Sequence, residues 1–136
     1  MSIDFKQFLK TRGLKATPAR LGVLVTLHET MQPLRIEDIH ERMTAPVDLA
    51  TVYRIVNALV AAGAVAKVDF GERGAYFEPT DRTHHHHLVC THCGRVVDIA
   101  YCPAHLEQTA LAAARGFARI DRHSLELFGV CKRCAT

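Results

Sequence analysis

The chain has 136 residues, 49% of them apolar and 23% charged, with a formal net charge of +3. That length suits one compact domain or two small ones, and the apolar share suits ordinary globular cores. No apolar run is long enough to span a bilayer and no charged-then-apolar leader opens the chain, so a cytoplasmic protein without a membrane partner is expected. The charge is uneven: Lys6, Lys10, Arg12, Lys15 and Arg20 face only Asp4 in the first twenty residues. Such a basic end can meet phosphates, although a solvated helix face has the same composition.

The first eighty residues contain no cysteine and read as helices followed by a hairpin. "DFKQFLKT" is a short amphipathic start that Gly13 breaks. "TPARLGVLVTLHE" has Thr17 as N-cap and Pro18 at the first helical position, with Leu21, Leu24, Val25 and Leu27 as its apolar side. "RIEDIHERM" puts Ile36, Ile39 and Met43 on one face. Asp48 can cap "LATVYRIVNALVAAG", which stops at Gly63. In that segment Val52, Ile55, Val56, Leu59 and Val60 recur at helical spacing and belong to the core, leaving Thr51, Tyr53, Arg54 and Asn57 outward near its start. Arginine can read guanine, and a threonine methyl or tyrosine ring can meet a thymine methyl, at the N-terminal part of a recognition helix. "AVAKVDF" and "AYFEPT" then flank the turn "GERG" as a hairpin. Helices followed by a two-stranded ribbon are the order of a winged helix-turn-helix. A hinge is expected at "EPTDRT", residues 78–83.

The second half reads as strand, strand, helix, strand. "HHHLVC" and "RVVDIA" are short apolar segments around the turn "THCG". "PAHLEQTALAAARG" reads as a helix opened by Pro103 and stopped by Gly116, and "SLELFGVC" alternates as a last strand. Four of the five cysteines form two Cys-x-x-Cys pairs, Cys90/Cys93 and Cys131/Cys134, with Cys102 left over. In a cytosolic chain two such pairs read as a tetrahedral four-thiolate zinc site before they read as disulfides or redox thiols.

The run His84, His85, His86, His87 precedes the first pair. Along a strand, successive side chains point to opposite faces. His84 and His86 would therefore feed one site and His85 and His87 another. Glu78, Asp98, His105 and His123 are candidate companions, with His105 on the helix and His123 on the last strand. Mixed imidazole and carboxylate suits iron(II), manganese(II) or zinc(II). His28, His40 and His92 read as surface or hydrogen-bonding residues.

Together, "GLKATPAR", "LATVYRIVNAL", "HHHHLVCTHCGRVVDI", "HSLELFG" and "CKRC" make the chain resemble the ferric uptake regulator family of bacterial metal-dependent repressors. The resemblance covers nearly the whole chain. It implies an α+β protein: an N-terminal winged helix-turn-helix DNA-binding domain over residues 1–80 and a small α/β dimerisation and metal-binding domain over 84–136. It implies a homodimer that binds an inverted-repeat DNA operator and represses metal-uptake or metal-stress genes when a regulatory metal is bound, with no small organic substrate.

Carried onto this chain, the structural zinc ligands match Cys90, Cys93, Cys131 and Cys134, and the family's regulatory hinge site matches Glu78, His85, His87 and Asp98. A second site matches His84, His86 and His123, with His105 where a glutamate is common. Lys15 and Tyr53 match DNA-contacting positions beside Arg54, with Arg20 and Thr51 as further candidates.

The chain departs from the pattern at two places. Many iron- and peroxide-sensing members have a histidine ligand where this chain has Pro33. Zinc-sensing members often place a cysteine in the hinge site, and residues 75–83 contain none. Iron(II) and zinc(II) remain the two candidate regulatory metals, with manganese(II) and a peroxide-responsive role as alternatives. A metallohydrolase would need an open coordination position and a general base. No His-Glu-x-x-His motif is present, and the expectation is a protein that is not an enzyme.

Overall fold

In the computed structural model, residues 4–30, 32–81 and 84–136 are described. The chain divides into two compact units, Met1–Arg82 and Thr83–Thr136. Of the expected hinge, Arg82 and Thr83 lie outside the described residues.

The first unit holds α1 (Phe5–Thr11), α2 (Pro18–Glu29), α3 (Ile36–Arg42) and α4 (Leu49–Ala61), then β1 (Val65–Asp69) and β2 (Ala75–Pro79). The helix starts follow from local chemistry. Asp4, Thr17 and Asp48 each accept a backbone N–H three residues on, satisfying donors that a helix start leaves unpaired. At the end of α4 the Ala64 N–H bonds to the Leu59 carbonyl across Gly63, whose φ of 77° needs a residue without Cβ.

α4 buries Val52, Ile55, Val56 and Leu59 as its spacing predicts, while Val60 is only partly buried against the core. In α2 the inward face is rotated from the predicted one. Val23, Leu24, Thr26 and Leu27 are buried, whereas Leu21 and Val25 are half-exposed. Thr26 can face inward because its hydroxyl donates to the Gly22 carbonyl at 2.8 Å. Each fully buried Leu or Val contributes roughly 1.5–3 kcal/mol, so Leu9, Leu24, Ile39 and Leu59 anchor the bundle.

β1 and β2 pair antiparallel from Val65↔Pro79 to Asp69↔Ala75. Leu34 joins as a bridge, exchanging both backbone hydrogen bonds with Phe77 at 2.7 and 3.0 Å. The ribbon is thereby stitched to the segment before α3.

The second unit contains β3 (His86–Cys90), β4 (Val96–Ile99), α5 (Leu106–Ala113), β5 (Glu126–Gly129) and α6 (Lys132–Ala135). Its sheet order is β4-β3-β5, with β3 antiparallel to β4 and parallel to β5. A parallel neighbour requires a crossover, which the segment containing α5 provides. α5 is shorter than the predicted helix. Pro103 does not open it: His105 precedes the first turn with a left-handed φ of 63°, and the helix begins at Leu106. β3 is central, so ligands can approach it from both faces.

Candidate metal centres and nucleic-acid interface

Cys90 ends β3, and a turn brings Cys93 back beside it. The Gly94 N–H bonds to the Cys90 carbonyl at 2.9 Å and the Cys90 N–H to the Arg95 carbonyl at 2.8 Å. Cys131 caps α6, whose single turn carries Cys134. One sulfur from each of the four cysteines lies within 4.8 Å of the others, and Cys93 Sγ and Cys131 Sγ are 3.9 Å apart. Four thiolates around a tetrahedral zinc at about 2.3 Å would sit roughly 3.8 Å from one another, so the donor set fits that ion.

The electrostatics agree with the fit. Backbone N–H groups of Cys93 and Cys131 donate to Cys90 Sγ at 3.5 and 3.4 Å and hold its thiol down to about 5. Beside Cys131, itself lowered chiefly by the Cys134 N–H, the Cys134 thiol is pushed up to about 12. A cluster of sulfurs this tight cannot ionise fully without a cation.

His85, just before β3, and His87, within it, pack together with ring centroids 4.8 Å apart. Register places Asp98 opposite His87, and His87 Nε2 lies 3.7 Å from Asp98 Oδ1. Glu78 stands in β2 of the first unit, opposite Ala66, and is 6% exposed. A carboxylate buried that deeply needs compensation by cations or donors.

A second group gathers His84, before β3, and His86, its first residue, whose ring centroids are 4.7 Å apart, together with His123 from the segment before β5. His123 is not on the last strand, which begins only at Glu126. His84 Nε2 and His123 Nε2 are 3.1 Å apart. The fourth member is Cys102, unassigned in the sequence, whose Sγ lies 3.2 Å from His123 Nε2.

His105 does not join them. With the helix starting only at Leu106, its Nδ1 turns to Gln108 Oε1 at 2.7 Å. The carboxylate near this cluster is Glu107, 2.8 Å from His123 Nδ1. Cys102 and Glu107 escaped the sequence reading because neither falls in a ligand-spaced motif. Burial, followed by the neighbouring His84, pulls the His86 pKa below the ordinary histidine value, favouring the neutral ring that metals bind.

Of the histidines read as non-ligands, His28 bonds to the Leu24 carbonyl at 2.9 Å and to Asp81, and His40 to the Val47 carbonyl at 2.8 Å.

On α4, Tyr53 and Arg54 are exposed and Thr51 is half-buried. The Tyr53 hydroxyl donates to Glu37 Oε1 on α3 at 3.1 Å, a contact that hides in the sequence because sixteen residues separate the pair. Arg54 donates to Thr51 Oγ1 at 3.3 Å. Lys15 is exposed, but the Arg20 guanidinium is turned back onto the Lys15 carbonyl at 3.0 Å. Arg20 therefore shapes the loop that presents Lys15.

The profile of the ferric uptake regulator family matches residues 11–128. The ferric uptake regulation protein of Escherichia coli K12 is 38% identical over 132 residues, covering 94% of this chain and 88% of that protein. The structure of the Vibrio cholerae ferric uptake regulator is similar with a TM-score of 0.82 and 34% identity, over 94% of this chain and all of that one. A zinc-bound manganese uptake regulator is similar with a TM-score of 0.76 and 28% identity, over 95% and 99% of the two chains. A profile spanning most of the chain, relatives matched almost end to end and two units with the expected elements lead to one assignment: the chain belongs to the ferric uptake regulator family of metal-responsive transcription regulators.

Proposed function

We propose that the protein is a homodimeric repressor that binds an inverted-repeat DNA operator when a regulatory divalent metal occupies Glu78, His85, His87 and Asp98. The four cysteines hold a structural zinc. Lys15, Tyr53 and Arg54 contact DNA, while Arg20 and Thr51 support them. The observation that carries this reading is the alternation around β3: successive histidines serve opposite faces, and the strand ends on the cysteine cluster. Glu78 belongs to the ribbon of the helical unit and the other three regulatory ligands to the sheet unit. An ion held by these residues would change DNA affinity only by preferring the DNA-competent arrangement.

The dimer reading is supported by an exposed apolar row across the second sheet. Val97, Leu88 and Leu127 are cross-strand neighbours on β4, β3 and β5, each 37–44% exposed. Covering such a row with a second copy removes apolar surface from water.

Iron(II) and zinc(II) both suit the regulatory donors, with manganese(II) a weaker match. Among the described residues no helix is long and apolar enough to cross a membrane, and a cytoplasmic site of action is proposed.

The test is selection of duplexes from a random library with iron(II)- or zinc(II)-loaded protein, followed by fluorescence anisotropy with and without chelator. A two-fold symmetric sequence bound more tightly with metal is expected. Failure to enrich any sequence, or affinity indifferent to metal, would refute the proposal.

A further inference from the structure

We infer that Cys102 is a metal ligand, completing a three-imidazole, one-thiolate site with His84, His86 and His123, and that its sulfur makes this site select zinc(II) over iron(II) and manganese(II). The site is distinct from the Glu78, His85, His87 and Asp98 set, and the inference stands whether or not that set is the sensor.

One ligand atom from each of the four residues lies within 4.8 Å of the others. A tetrahedral zinc with nitrogens at about 2.05 Å and sulfur at about 2.3 Å spaces its ligands roughly 3.3 Å (N to N) and 3.5 Å (N to S) apart. His84 Nε2 to His123 Nε2 is 3.1 Å and Cys102 Sγ to His123 Nε2 is 3.2 Å, close to those edges.

The second observation is independent of Cys102. His86 is 2% exposed, its ring lies against those of His84 and His123, and its Nε2 is buried with no hydrogen-bond partner. A buried ring nitrogen without a partner costs free energy unless something accepts its lone pair or proton, and a cation at the centre of the cluster does so.

Glu107 supplies the outer support. At 2.8 Å it accepts the Nδ1 proton of His123, which fixes the tautomer and leaves the Nε2 lone pair directed at the cluster. Glu107 is thereby a positioning residue, and the fourth ligand is sulfur in place of carboxylate. Thiolate is a soft donor that favours zinc, whereas manganese(II) and iron(II) in open-shell octahedral sites favour oxygen.

The experiment uses the full chain with one zinc retained per chain after mild chelation, which leaves the four-cysteine cluster filled. Cobalt(II) is then titrated anaerobically. The Glu78 set contains no sulfur, so a thiolate-to-cobalt charge-transfer band reports Cys102. We expect that band together with intense tetrahedral d–d absorption. Added zinc should abolish it, and equimolar manganese(II) or iron(II) should leave it.

Cys102→Ser should lose the charge-transfer band. Cys102→Asp should lose it too, yet still bind cobalt, with zinc preference over manganese(II) reduced at least tenfold. Glu107→Gln should keep the band and weaken cobalt binding roughly 10–100-fold. A wild-type chain without the band, a band that persists in Cys102→Ser, or unchanged metal preference in Cys102→Asp would overturn the inference.

Discussion

The sulfurs of Cys93 and Cys131 lie 3.9 Å apart although 38 residues separate them. The parallel pairing of β3 with β5, which sets Cys90 opposite Gly129, brings the two cysteine pairs to one end of the sheet. A metal there would close the long crossover and link α6 to β3. Cys93→Ser or Cys131→Ser should therefore lose the tightly held zinc and lower the melting temperature of the second unit, because binding energy at such a site is folding energy. Elemental analysis and calorimetry check this; one zinc per chain with unchanged melting in both variants would count against it.

Asp48 accepts the Thr51 N–H at 2.8 Å and sets the first turn of α4, just ahead of the exposed Tyr53 and Arg54. Asp48→Ala should cost about 1 kcal/mol of stability by removing that cap. Chemical denaturation of the variant measures the loss, and Asp48→Asn should recover most of it.

Arg54 and Lys15 should differ in kind. Arg54→Ala is expected to cost about 1–3 kcal/mol of operator binding and to relax specificity at one base pair. Lys15→Ala should weaken all sequences alike and reduce the salt slope by about one unit. Competition assays across operator variants and salt concentrations separate the two; loss without any change of sequence preference in Arg54→Ala would exclude a base contact.

For the regulatory site, Glu78→Ala should abolish the gain in operator affinity on adding metal while leaving the structural zinc and the dimer intact. His87→Ala should behave alike, and His84→Ala should impair the response less. Anisotropy titrations with and without metal give the comparison. The reverse ranking would move regulation to the His84 face of the strand.

Leu88→Asp should shift the protein from dimer to monomer, since a carboxylate in the exposed Val97–Leu88–Leu127 row cannot be covered without a desolvation cost. Sedimentation velocity of wild type and variant reads this directly. A dimer in Leu88→Asp would place the interface elsewhere.

Much of this protein is written in local sequence. Thr17, Asp48 and Gly63 mark helix ends because capping depends on neighbours three or four residues away, and the core of α4 follows from its 3.6-residue period. The pairing of His84 with His86 and of His85 with His87 follows from an extended-chain alternation that begins before β3, and the cysteine pairs announce themselves by spacing.

What local sequence could not decide was anything set by a long crossover. The start of α5 slipped from Pro103 to Leu106, which removed His105 from the cluster and turned Glu107 toward His123. Cys102 carries no motif, and only the folded path from β4 around to His123 brings its sulfur within 3.2 Å of that ring. The Glu37–Tyr53 contact and the Leu34–Phe77 bridge are likewise products of packing. Capping and periodicity are short-range and legible in the chain. Ligand sets drawn from distant segments depend on strand pairing and helix register, where a slip of a few residues exchanges a histidine for a carboxylate.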